Sequence, residues 1–117
     1  MLDIGIVGKG YFGSKIFNTL NDKHNIKFHT GRELNISFDI DWVIISSSTD
    51  SHFELCKLFI EKGINVFVEK PITASYENAS KLIELAKNHG VKLYVDDIFL
   101  YHPSYNEIKQ KKYQNIH

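Results

Sequence analysis

The sequence predicts a doubly wound α/β domain, a parallel β-sheet with helices on both faces. Three observations carry that expectation. Short apolar runs alternate with segments of helical period. The run WVIISS (42–47) stays apolar until its end, as a central parallel strand buried on both faces would. Glycines and capping residues fall where helices should start and stop.

Taken in order, LDIGIV (2–7) reads as the first strand, and YFGSKIFNTL (11–20) as a helix with Phe12, Ile16 and Leu20 on one face. NIKFHT (25–30) and WVIISS (42–47) are the next two strands. Ser51 with Glu54 three positions on forms a capping box, so the second helix should begin there. Phe53, Cys56, Phe59 and Ile60 make its apolar face, and Gly63 ends it. INVFV (64–68) is a fourth strand. A third helix, from about Ser75 to His89, turns Ala79, Leu82, Ile83 and Ala86 inward and stops at Gly90. KLYV (92–95) reads as the last strand. This alternation requires right-handed crossovers, giving a Rossmann-type sheet of about five strands. Only eleven residues, GRELNISFDID, separate Thr30 from Trp42. A crossover helix and a strand do not fit in that length, so the sheet should lack its outermost strand on that side, unless NIS adds a brief edge pair.

Composition sets the outer limits. A chain of 117 residues, 43% apolar and 24% charged, is one soluble globular domain (1–117) with a real core. A formal net charge of zero gives no overall attraction to nucleic acid or to an acidic membrane. The single Cys56 excludes an internal disulfide and fits a reducing compartment. No apolar run approaches the roughly 20 residues of a membrane span, and residues 1–20 lack a signal-peptide pattern. A cytoplasmic protein is expected.

The chemistry gathers at three places. Gly8-Lys9-Gly10-Tyr11-Phe12-Gly13 is a G-x-G-x-x-G that follows a strand and opens a helix, the context of a dinucleotide fingerprint. Gly8 would allow the tight turn, Gly10 the approach of a pyrophosphate, and Gly13 close helix–strand packing. The N–H groups at the helix start, at Tyr11 and Phe12, would hold the phosphates. The second strand ends His29-Thr30-Gly31-Arg32, with no acid before Glu33. A hydroxyl at Thr30 and a guanidinium at Arg32 suit the 2′-phosphate of NADP better than the bare diol of NAD; Arg32 is otherwise a solvated loop residue. SSSTDSH (46–52) leaves the central strand, and Ser47, Ser48 and Thr49 would offer hydroxyls to the crevice at the strand ends. His52 is either a ligand contact or a surface histidine. Glu69-Lys70-Pro71 ends the neighbouring strand. Lys70 there could stabilise charge or relay a proton on a substrate oxygen, with Glu69 orienting it or touching the cofactor. The alternative is a surface ion pair worth about 0–1 kcal/mol. Pro71 constrains Lys70 toward an extended conformation. There is no G-x-S-x-G elbow and no metal-site spacing, so no metal is expected.

These segments together resemble a family. IGIVGKGYFGSKI, DWVIISSSTDSHFELCKLFIEKGINVFVEKPIT and FLYHPSYNEIK are similar to the amino-terminal domain of the glucose–fructose oxidoreductase and inositol dehydrogenase (Gfo/Idh/MocA) family. The resemblance covers nearly the whole chain. It implies NAD or NADP as cofactor, and oxidation or reduction of sugars, nucleotide sugars or cyclitols. It places the family's substrate-side lysine on Lys70, its cofactor glycines on Gly8, Gly10 and Gly13, and its T-P-x-x-x-H loop on Ser47 to His52, with Ser48 in place of proline. A Gly-His pair often precedes the FLY segment in the family, and here Asp96-Asp97 stands in its place.

The family's second domain, which carries the substrate pocket, the catalytic histidine and acid and usually the dimer interface, has no counterpart here; residues 97–117 match only its start. The expectation is therefore a cofactor domain, truncated or completed elsewhere and inactive alone, with Lys70 as its catalytic residue. The alternative is a stand-alone nucleotide-binding sensor. An apolar surface at 97–108 left without its partner would favour a homo-oligomer.

Overall fold

A computed structural model describes residues 1–31, 35–70, 72–95 and 98–101; of these, Tyr11, Phe12 and 98–101 are described by their backbone. The sheet contains β1 (Asp3–Val7), β2 (Asn25–Thr30), β3 (Trp42–Ile45), β4 (Asn65–Val68), β5 (Leu93–Val95) and β6 (Ile98–Tyr101). Its order is β2-β1-β3-β4-β5-β6. The first five strands are parallel. β6 turns back antiparallel on β5, a strand beyond the last one that the sequence reading assigned.

Register sets where a ligand can bind. Val7 pairs with Thr30 on one side and Ile45 on the other, Ile45 pairs with Val68, and Val68 with Val95. The five parallel strands therefore end level, and every loop leaving them opens on one rim. Chain order reverses between β1 and β3, the switch point where open α/β sheets hold ligands.

Alternation along the strands builds the core. Val43, Ile45, Val66, Val68, Leu93 and Val95 are buried on one face. Helices α2 (Thr49–Glu61) and α3 (Tyr76–His89) cover that face with Cys56, Phe59, Ile60, Leu82 and Ala86. Burying side chains of this size gains about 1.5–3 kcal/mol each. Ser75 caps α3 by accepting from the Asn78 N–H at 3.1 Å, and Gly90 ends it in the left-handed region at φ 65°. Helix α1 (Tyr11–Leu20) lies on the other face. There Trp42, Ile44, Phe67 and Tyr94 are half-buried, and a cavity of about 330 Å³ remains between α1 and Phe67.

The second helix departs from expectation. It begins at Thr49, after Ser48, and not after Ser51. The Ser51 hydroxyl donates to the Ser48 carbonyl at 2.7 Å, so it is engaged one turn back and does not cap a helix of its own. The short β2–β3 connection has no strand among its described residues. Instead Ile36, Phe38 and Ile40 of this segment meet the core, with Phe38 edge-on to Phe59 at 5.6 Å. Loop side chains thus seal part of the sheet that a crossover helix would otherwise cover.

Candidate nucleotide site

The glycine loop is fastened from both sides. The Gly8 N–H donates to the Thr30 carbonyl at 2.7 Å, and the Gly8 carbonyl accepts from His29 Nε2 at 2.8 Å. The His29 ring stacks on Phe17 of α1, with centroids 5.1 Å apart. Gly8 has φ 129°, a region that disfavours any side chain. A Cβ on Gly13 would overlap the Gly8 carbonyl oxygen and sit 2.9 Å from Ser46 Oγ. The helix start therefore presses against the loop, and only glycine permits it. Gly10, the N-cap of α1, is different: a Cβ there would meet nothing within 4 Å.

That open space belongs to a cavity of about 710 Å³, which runs from Gly8 to Gly10, past Gly31, to Ser46, Ser47 and Ser48. The first N–H groups of α1 lack helical partners and carry the positive end of its dipole. The first turn of α1 contains no acid, whereas α2 has Asp50 and α3 has Glu77 there. A cradle without a side chain, at a helix start left free of carboxylates, fits a phosphate group.

Beyond β3, the Ser46 N–H continues the sheet by donating to the Val7 carbonyl at 2.8 Å. The hydroxyls of Ser47 and Ser51 share a 2.7 Å hydrogen bond. His52 needs correction as a ligand contact. It is only 1% exposed, lies off the cavity wall, and its Nε2 donates to the Ser47 carbonyl at 2.9 Å, so it holds the serine loop from beneath. Thr49, the first residue of α2, is half-buried and also off the wall. Ser46, Ser51, Glu54 and Leu55 do line it, although the sequence reading did not place them there. Ser51 and Glu54 stand one helical turn apart, a spacing that suits one helix face toward the cavity as well as it suits a cap.

At the end of β2, Thr30 is 4% exposed, and its hydroxyl accepts from the Asn35 N–H at 3.0 Å. It braces the corner and does not line the cavity. Arg32 and Pro71 lie outside the described residues, as do the side chains of Tyr11 and Phe12 and most of the 97–108 segment. Past β4, the Glu69 N–H donates to the Ile45 carbonyl at 2.9 Å, holding the chain to the sheet for one further residue. Half-buried Glu69 and exposed Lys70 line a second cavity of about 160 Å³ on the α1 side. Ser46 is common to both cavities, so the two adjoin at the switch point. Cys56 has no part in either; burial pushes its thiol up to about 12. Among the described residues, no group of acids, histidines and cysteines could hold a metal ion, and no helix is long and apolar enough to cross a membrane.

The level rim, the switch point and the glycine cradle define a Rossmann domain of the dinucleotide-binding class. Residues 25–97 match the GFO_IDH_MocA oxidoreductase family, described as an NAD-binding Rossmann fold, and the chain belongs to that family. The uncharacterized oxidoreductase YrbE of Bacillus subtilis is 32% identical over 90 residues, 75% of this chain and 26% of its own length. The UDP-N-acetylglucosamine 3-dehydrogenase of Acidithiobacillus ferrooxidans is 29% identical over 72 residues, 62% of this chain and 23% of its own. The solved structure of that dehydrogenase superposes with a TM-score of 0.75 at 21% identity, covering 94% of this chain and 41% of the dehydrogenase. GenD2 from gentamicin A biosynthesis, solved with NAD, gives a TM-score of 0.76 at 20% identity over 94% of this chain and 38% of its own. The chain spans between 15% and 30% of the length of the curated relatives it matches.

Proposed function

We propose that this chain is the cofactor domain of an NAD(P)-dependent oxidoreductase acting on a sugar, nucleotide sugar or cyclitol. The observation that carries the reading is the cradle at Gly10, an N-cap open to a large cavity at a helix start free of acids. Gly8 and Gly13 let the loop close on the helix, and the N–H groups of Tyr11 and Phe12 hold the pyrophosphate. Ser47 and Ser48 offer hydroxyls further along the same wall, toward the nicotinamide half. The bound dinucleotide supplies hydride acceptance or donation. Lys70, in the adjoining cavity, holds the substrate oxygen and takes or returns its proton, with Glu69 setting its direction. Arg32, two positions beyond Thr30, is the guanidinium the sequence offers to a 2′-phosphate, which favours NADP.

The sugar class rests on the family and on the named activity of its Acidithiobacillus relative. The substrate pocket and a catalytic partner for Lys70 belong to a second domain, of which residues 97–117 form the start, and residues 97–108 mediate self-association. Titration calorimetry of the chain with NAD and with NADP tests the reading. Binding of at least one is expected; no heat with either at millimolar ligand overturns it.

A further inference from the structure

The corner where β2 meets the glycine loop is where an adenosine ribose would rest, and its polar groups are unevenly available. His29 Nε2 is engaged by the Gly8 carbonyl, and the Thr30 hydroxyl by Asn35. Gly31 contributes only backbone. The described residues at this corner therefore present no carboxylate to a ribose diol, the feature that NAD-selective sites of this fold use. They present a lysine instead. Lys9, between the first two glycines, is exposed and lines the cavity with Gly31. A Cβ placed on Gly31 would lie 3.6 Å from both Cγ and Cδ of Lys9. The lysine stem is thus laid across the Gly31 backbone, from the pyrophosphate loop toward the end of β2. Among the described residues its ammonium has no carboxylate within ion-pair distance.

We infer that Lys9 is a specificity-determining residue, whose ammonium pairs with the 2′-phosphate of NADP at the Gly31 corner. The inference rests on the nucleotide reading above. The stem resting on Gly31 limits the rotamer freedom lost on binding. A phosphate monoester dianion gains a charge-assisted partner there; the NAD diol gains nothing.

The test is calorimetry on the full chain, with NAD and NADP titrated into the wild type, Lys9→Ala, Lys9→Arg, Arg32→Ala and Gly10→Val. The wild type should prefer NADP. Lys9→Ala should lower NADP affinity about fivefold to tenfold, as for a partly exposed charge-assisted bond, and leave NAD within twofold. Lys9→Arg should retain the preference, and raising salt should shrink it in the wild type more than in Lys9→Ala. Equal losses for both cofactors in Lys9→Ala, no change for either, or a preference abolished by Arg32→Ala but untouched by Lys9→Ala would each overturn the assignment. A wild type that binds NAD and not NADP would overturn it too, while leaving the cofactor-domain reading intact. Failure of the wild type to bind either would instead sink that reading.

Discussion

Two glycines three residues apart in one motif, Gly10 and Gly13, should fail in opposite ways when substituted. Gly13 faces backbone: an added methyl would overlap the Gly8 carbonyl and lie 2.7 Å from its carbon. That carbonyl cannot retreat easily, because His29 holds it and the Gly8 N–H is held by Thr30. Overpacking of a fitted site costs about 1–3 kcal/mol, and a backbone neighbour places Gly13→Ala near about 3 kcal/mol. Gly10 has φ −73° and ψ −168°, extended backbone that any residue adopts, and nothing within 4 Å. Gly10→Val should cost only about 0.5–1 kcal/mol, for a poorer N-cap. At about 4 °C per kcal/mol for a domain of this size, Gly13→Ala loses about 12 °C of Tm and Gly10→Val no more than about 4 °C. Binding should reverse the order of interest. Valine at position 10 fills the space a pyrophosphate needs, so dinucleotide affinity should fall more than about 100-fold in a protein that remains folded. Differential scanning fluorimetry and calorimetry on the two variants read both effects. A Gly10→Val protein that keeps its affinity, or that melts as early as Gly13→Ala, would refute the assignment of the open N-cap as a phosphate cradle.

Other outcomes follow from the same geometry. His52→Ala leaves the part-buried Ser47 carbonyl without the imidazole donor and opens a hole beneath the serine loop. It should cost roughly 2–4 kcal/mol in urea unfolding and weaken nucleotide binding; unchanged stability would show that the imidazole is not the support of that loop. Cys56 should resist thiol reagents in the native state and react on unfolding, because burial keeps its thiol protonated up to about pH 12. Above the free-thiol value of 9.0 the unfolded chain releases a proton that the native chain retains, so stability should fall with rising pH between that value and about 12. Native labelling at pH 8 as fast as in denaturant would contradict that burial. If apolar side chains in 97–108 bury about 1.5–3 kcal/mol each in a two-fold contact, light scattering should report a dimer at high micromolar concentration, and a clean monomer there would exclude the interface.

Much of this arrangement was legible in the chain because its signals are local. A glycine in the left-handed region, a serine accepting at an N-cap and an apolar strand of four residues each leave a mark within a few positions, and β1, β2, α1 and α3 appear close to where those marks put them. Residues whose partners meet them only when the chain turns back or strands pair leave no such local mark. His52 looks like a surface residue on the first turn of a helix, and only its packing over the Ser47 carbonyl shows it to be buried. His29 gave no signal at all, since its partner Gly8 is 21 positions away and meets it only when β1 and β2 pair. Thr30 shows the same limit from the other side: a hydroxyl at the expected cofactor corner is claimed by Asn35 once the chain turns. The residues that shape this rim are therefore of two kinds. Gly10, Lys9, Ser47 and Ser48 face the cavity, whereas His29, Thr30 and His52 hold the backbone that presents them. Substitution of the first kind should alter binding in a stable protein. Substitution of the second should alter binding only through the fold, and conservative replacements that keep a donor or acceptor should then restore both together.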